Sequence, residues 1–322
     1  LGKDHPDYAA SLNSLASSSM EMGNYEKAEW LFLDSKTIRE KALGKEHPDY
    51  AASLHNLGFL YRNTGEFEKS ESLNLEAKAI REKVLGKKHP DYAKTLNNLA
   101  ILYSDMGDYE KAELYFLESK NIKEKAFGKE HPEYANALNN LAVLYRYTGE
   151  YKKAEPLFLE ALSIQEKLSG KEHPNYATNL NNLALLYFHV GDYEKAEPFF
   201  LDAKAIREKT LGKEHSDYAM SLNNLATFYE EVGNYAKAEP LFLEAKTIWG
   251  KALGKEHSRY IENLNGLAAL YWETGAQAAA ASCMAEGAQL NQVLITRGVH
   301  HLSERELNSY LKTFLASQAQ VL

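Results

Sequence analysis

A single cysteine, Cys283, is all the thiol chemistry this chain has. That excludes an internal disulfide framework and fits a reducing compartment, so a cytoplasmic setting is expected. No apolar run is long enough to cross a bilayer, and the first residues carry no signal-peptide pattern. No membrane role is expected. Lysine and arginine are nowhere clustered, and the net charge of -8 with a pI near 5.8 argues against a nucleic-acid footprint. The recurring Gly-Lys-Glu-His does not have the spaced glycines or the Lys-Ser/Thr ending of a phosphate loop, and Cys283 has no candidate base at motif spacing. Neither an enzyme nor a cofactor is expected. The chain opens on Leu1 in mid-repeat and without a methionine, as a piece of a longer protein would.

What the chain has in abundance is itself. From Gly44 to Gly86 is a step of 42 residues, and the same step connects Gly2, Gly128, Gly170, Gly212 and Gly254. His5, His47, His89, His131, His173, His215 and His257 fall on it, as do Tyr8, Tyr50, Tyr92, Tyr134, Tyr176, Tyr218 and Tyr260. A fixed period of this size is the mark of a solenoid, which grows along one axis, so one array is expected over 1–294.

Each unit reads as two helices. In the first, Tyr50, Leu54, Leu57, Gly58 and Tyr61 form the apolar stripe of an amphipathic helix. The preceding His47-Pro48-Asp49 supplies a proline for the first turn and an acid beside the positive helix end. Gly65, Gly107, Gly149, Gly191 and Gly233 then stop that helix. Asn24, Asp108, Asp192 and Asn234 follow as N-caps for a second helix, whose buried side carries Tyr193, Ala196, Phe199, Phe200, Ala203 and Ile206. Pro156, Pro198 and Pro240 sit inside this second helix, where proline costs roughly 3 kcal/mol. The apolar period runs through them unbroken, so their slot is expected to face away from a tight helix neighbour. Small residues, Gly58 and Ala100 in the first helix and Ala112 and Ala154 in the second, let the pair approach closely.

Leu57-Gly58, Tyr61, Gly65, Phe67 and Ala77 resemble the spaced consensus of the tetratricopeptide repeat. The longer unit, with HPDYA opening the first helix, is similar to the 42-residue variety of kinesin light chains and many bacterial sensor proteins. The resemblance implies an all-α, right-handed superhelical solenoid of helix-turn-helix repeats that binds protein or peptide segments in a concave groove. The seventh unit degrades, with Ser258 replacing proline and Gln277 to Ala281 replacing the usual Tyr-Glu-Lys-Ala-Glu, as a terminal repeat does. Beyond it, Ser303-Glu304-Arg305-Glu306 reads as a capping box, so residues 295–322 are expected to form a capping or linker helix. The run from Leu302 to Leu311 resembles the stretch that joins repeats to a caspase-like CHAT protease domain. It implies a covalently linked C-terminal domain and a regulatory role as the alternative function.

The histidine ladder is too widely spaced to hold a metal. Neighbouring turns of packed helices stand about 8 to 10 Å apart, whereas zinc ligands lie about 2 Å from the ion. Each histidine is expected to cap its helix. The asparagines are another matter. Asn56, Asn98, Asn140, Asn182 and Asn224 share one slot of the first helix, and Asn97, Asn139, Asn181 and Asn223 precede them. Asparagine is a mediocre helix former, so its recurrence has another cause. Either each amide bonds a neighbouring helix and fixes repeat spacing, or the ladder offers donors and acceptors to a peptide backbone. An extended chain rises about 3.3 Å per residue, so amides about 8 to 10 Å apart meet every third residue.

By the resemblance, this slot is where such domains clamp carboxylates and main chain. Arg62, Lys94 and Arg146 also face the groove in the early and middle units, Glu230, Glu231, Glu262 and Glu273 late, and Phe59, Ile101, Val143 and Leu185 form an apolar floor. A ligand with an acid toward the first units and a base toward the last is complementary, unless these charges are only a solvated face. A non-catalytic peptide-binding scaffold or sensor is therefore expected, with self-association through the outer surface as a further reading. Ser70 and Asn74 occupy slots filled elsewhere by alanine and phenylalanine, which marks the second unit as the weakest inner one.

Overall fold

The structure is a computed structural model that describes residues 2–299. Fourteen helices and no strand are present among them. The chain divides between Ile164 and Gln165 into two compact units. The first contains α1 (Pro6–Glu21), α2 (Tyr25–Leu43), α3 (Pro48–Asn63), α4 (Phe67–Leu85), α5 (Pro90–Asp105), α6 (Tyr109–Phe127) and α7 (Pro132–Tyr147). Helix α8 (Tyr151–Ser169) carries the boundary. The second contains α9 (Pro174–Val190), α10 (Tyr193–Leu211), α11 (Ser216–Glu231), α12 (Tyr235–Ala252), α13 (Ser258–Glu273) and α14 (Gln277–Val299). Within each unit odd-numbered helices pack on the even-numbered ones that follow, and each pair packs on the next. Helix α14 runs past 294 to Val299, and the capping-box stretch from Ser303 lies outside the described residues.

The start of every odd-numbered helix is fixed by its histidine. Nδ1 of His47 accepts the backbone N–H of Asp49 at 3.1 Å, and His5, His89, His131, His173, His215 and His257 repeat the bond at 3.1–3.2 Å. An imidazole nitrogen thus does the work of a serine or aspartate cap, satisfying one of the orphan donors of the first turn. At the other end Gly65 has φ 81°, a left-handed value strained for any side chain. Its N–H reaches Arg62 O at 3.1 Å and the following Glu66 N–H reaches Tyr61 O at 2.8 Å. Four of the even-numbered helices, α2, α6, α10 and α12, then start on Asn24, Asp108, Asp192 and Asn234, each accepting a backbone N–H three residues on, whereas Glu66 before α4 makes no such bond.

Small residues set the distance within a pair. Ala28, Ala112, Ala196 and Ala238 are fully buried, so the helices close until phenylalanine fills the gap. Phe32, Phe116, Phe200 and Phe242 are at most 4% exposed, each contributing about 1.5 to 3 kcal/mol of apolar burial. Pro156, Pro198 and Pro240 lie inside continuous helices on the exposed side, and Trp30 and Leu114, in the same slot, are 63% and 67% exposed. No crowded neighbour meets the proline ring there.

Polar rungs tie one pair to the next. Tyr61 donates to Glu29 at 2.6 Å, and Tyr103–Glu71, Tyr145–Glu113, Tyr229–Glu197 and Tyr271–Glu239 repeat the bond at 2.6–2.9 Å. Burial, then the glutamate, pushes the Tyr229 hydroxyl up to about 12, so it stays a donor throughout the physiological range.

The asparagine face of the odd-numbered helices

Each asparagine pair sits mid-helix on an odd-numbered helix, just before a buried leucine, and is therefore aimed at the corresponding turn of the next such helix. In the first unit Asn140 Nδ2 donates to Asn97 Oδ1 at 2.9 Å. In the second, Asn224 Nδ2 donates to Asn181 Oδ1 at 2.8 Å, and Asn263 Nδ2 donates to Asn223 Oδ1 at 2.9 Å. The first two rungs are diagonal: the second amide of one repeat bonds the first amide of the repeat before it. Asn56, Asn97, Asn98, Asn139, Asn140, Asn182, Asn223 and Asn224 are half-buried, while Asn181 is buried. One such bond uses one N–H and one oxygen lone pair, and an amide has two of each. These bonds link successive odd-numbered helices, and the half-buried amides stay partly open to solvent.

His55 takes the place of the first amide in the second repeat. Asn98 Nδ2 lies 3.1 Å from its Nδ1 and 3.2 Å from its Nε2. Burial, then the nearby Arg81 and Lys94 charges, push His55 down to about 3, against the opposing pull of Asp91. The unfolded chain therefore takes up a proton near pH 6.5 that the folded chain refuses. Stability from this site is complete above pH 6.5 and falls away as the pH drops toward 3. Between pH 7 and pH 5 the loss is expected to be about 2 kcal/mol. His55→Asn should remove that part of the acid limb in urea titrations at the two pH values, and an unchanged pH dependence would refute the assignment.

The three cations on this face differ in their partners. Arg62 Nε is 3.5 Å from Asp105 Oδ2 on the next odd-numbered helix, and its guanidinium stacks 5.1 Å over exposed Phe59. Lys94 turns back to Asp91 at 3.0 Å on its own helix. Arg146 has no carboxylate partner among the described residues: its guanidinium lies 5.3 Å over the Tyr147 ring, its Nε is buried without a hydrogen-bond partner, and burial lowers its pKa. Ile101, Val143 and Leu185 are half-buried around the ladder. On the second unit Glu230 is pushed up to about 7 by burial, then by Glu231 and Glu273, and burial raises Glu262 as well. Among the described residues no group of three or more His, Cys, Asp or Glu could hold a metal ion.

None of the sequence patterns singles out Arg39, Arg81 and Arg207, which the fold buries at 8%, 5% and 1% exposure. Each donates Nη1 to a backbone carbonyl and a hydroxyl on the following odd-numbered helix: Asp49 and Ser53, Asp91 and Thr95, Asp217 and Ser221. They tie each of these even-numbered helices to the first turns of the odd-numbered helix that follows. Cys283 is buried in α14, and burial raises its thiol pKa.

A family model described as tetratricopeptide repeat matches residues 7–77, 51–125, 115–167, 133–209, 175–245 and 217–291. The chain belongs to the tetratricopeptide repeat family. Among solved structures these tetratricopeptide repeats are similar to BtubC (BKLC) from P. vanneervenii, with 26% identity, a TM-score of 0.53, and 73% of this chain and 89% of that one covered. Nearly identical kinesin light chain repeats from Podosopora anserina share 28% identity at a TM-score of 0.53, over 64% of this chain and 97% of theirs. The Rap conjugation gene regulator of plasmid pLS20, solved with a Phr peptide, has a TM-score of 0.64 at 15% identity, covering 90% of this tetratricopeptide chain and 75% of its own. No curated protein matches the chain. No helix among the described residues is long and apolar enough to cross a membrane.

Proposed function

We propose that this tetratricopeptide array is a non-catalytic scaffold whose asparagine face binds an extended segment of a partner protein. The observation that carries the reading is Arg146, a half-buried cation on the same helix as Asn140, with no carboxylate partner among the described residues. Paired charges such as Arg62–Asp105 hold the scaffold, whereas an unpaired one gains most from an acidic ligand. The amides of the first unit then hold ligand main chain, and Asn181, buried under Asn224, supports its neighbour rather than touching the ligand. The fold of the pLS20 regulator, which was solved with a peptide, is in keeping with this use.

Each amide bond contributes on the order of 1 kcal/mol, so affinity rests on the series. In a random-peptide display selection on the whole chain, enriched peptides are expected to carry an acidic residue. Asn97→Ala with Asn140→Ala should weaken them at least tenfold, and Arg146→Ala should abolish the acidic preference. Enriched peptides that bind both variants as well as the parent chain would sink the proposal.

A further inference from the structure

A second surface, away from the asparagine ladder, has a chemistry of its own. A trough of about 870 Å3 runs along α6 in the first unit, with Leu114, Tyr115 and Ile122 as its floor and Lys88, Lys111 and Lys125 at its edges. Leu114 is 67% exposed, the largest exposure of any leucine described. Lys111 is paired with Asp108 at 2.8 Å, while Lys88 and Lys125 have no acidic partner among the described residues. Glu118 is the one carboxylate of the lining. In a chain of net charge -8, three ammonium groups around an apolar floor run against the general balance.

We propose that this trough docks an acidic amphipathic helix of a partner protein. The lining recurs along α6 at spacings of three and four, from Lys111 to Lys125, a run of about 20 Å at 1.5 Å per residue. A groove of that pitch along a helix takes the ridge of another helix, with axes about 8 to 10 Å apart. Apolar residues of the ligand at i, i+4 and i+7 meet Leu114, Tyr115 and Ile122, and glutamates on its flanks meet the lysines. The lysine stems widen the apolar floor while their charges stay in water.

The test uses the whole chain and a fluorescein-labelled 18-residue helical peptide with one leucine row flanked by glutamates, read by anisotropy. Saturable binding is expected, with at least tenfold loss for Lys88→Glu/Lys125→Glu and for Leu114→Ser, and no change for Asn97→Ala/Asn140→Ala. A lysine-flanked version of the peptide should prefer the Lys88→Glu/Lys125→Glu chain over the parent, which requires that the variant fold. Equal binding of a shuffled peptide of the same composition would reduce the effect to bulk charge and overturn the proposal. So would variants that bind like the parent, or stoichiometric displacement by palmitate, which would make the occupant an acyl chain.

Discussion

Replacing Arg207 with alanine is expected to destabilise the chain by about 3 kcal/mol, and replacing it with methionine by about 1. Arg207 is 1% exposed and bridges three elements of the second unit, donating to Asp217 O at 3.2 Å, Ser221 Oγ at 2.9 Å and, through Nη2, Thr178 Oγ1 at 3.1 Å. The hydroxyls have second partners: Ser221 Oγ also reaches Asp217 O at 3.4 Å, and Thr178 Oγ1 reaches Pro174 O at 3.2 Å. Deleting the guanidinium therefore orphans little. What alanine leaves is a void at the meeting of α9, α10 and α11, which methionine largely fills. Because a repeat array is stabilised by nearest-neighbour interfaces, the alanine variant should also broaden the urea transition or split it in two. Equal losses for the two variants would mean that the hydrogen bonds, not the packing of the side chain, carry the contribution of Arg207.

That arginine makes contacts that the local sequence does not reveal. Helix starts and stops were legible because they are local: His47 and Gly65 act through backbone within two or three residues. The asparagine ladder was legible as a ladder, but not the partner of each rung. Asn140 meets Asn97 rather than Asn98 only because adjacent helices are offset in register, and offset is a tertiary property. Arg39, Arg81 and Arg207 sit in runs such as Ile-Arg-Glu-Lys that look like a solvated face. The signal that could have found them is a matched slot ten residues on: Arg39 with Asp49, Arg81 with Asp91, Arg207 with Asp217, and Lys123 with Glu133, where the longer acid makes a 2.9 Å ion pair. The pocket along α6 had no sequence signal, since its lysines come from separate turns.

In the second repeat, Gly58→Ala alone is expected to cost about 2 kcal/mol, whereas Gly58→Ala with Asn74→Phe is expected to gain about 2. A Cβ on Gly58 would lie 2.3 Å from Asn74 Nδ2 and 2.8 Å from its Cγ. Asn74 is 1% exposed and cannot swing away into water. Its Nδ2 is held by Ser70 O at 2.9 Å, and its Oδ1 is buried with no partner, a state that costs about 1 to 3 kcal/mol. Other pairs place alanine and phenylalanine in these two slots, as in Ala16 with Phe32, Ala100 with Phe116 and Ala226 with Phe242, all buried. Restoring that pair removes the orphaned oxygen and adds an aromatic ring to the core, so the sign of Gly58→Ala depends on what occupies position 74. Amide exchange in α3 and α4 should be fastest among the inner repeats of the parent chain and slow in the double variant. Additive single and double effects in a thermal cycle would show that Gly58 and Asn74 do not form one unit, and the second repeat would then owe its weakness to something other than this contact.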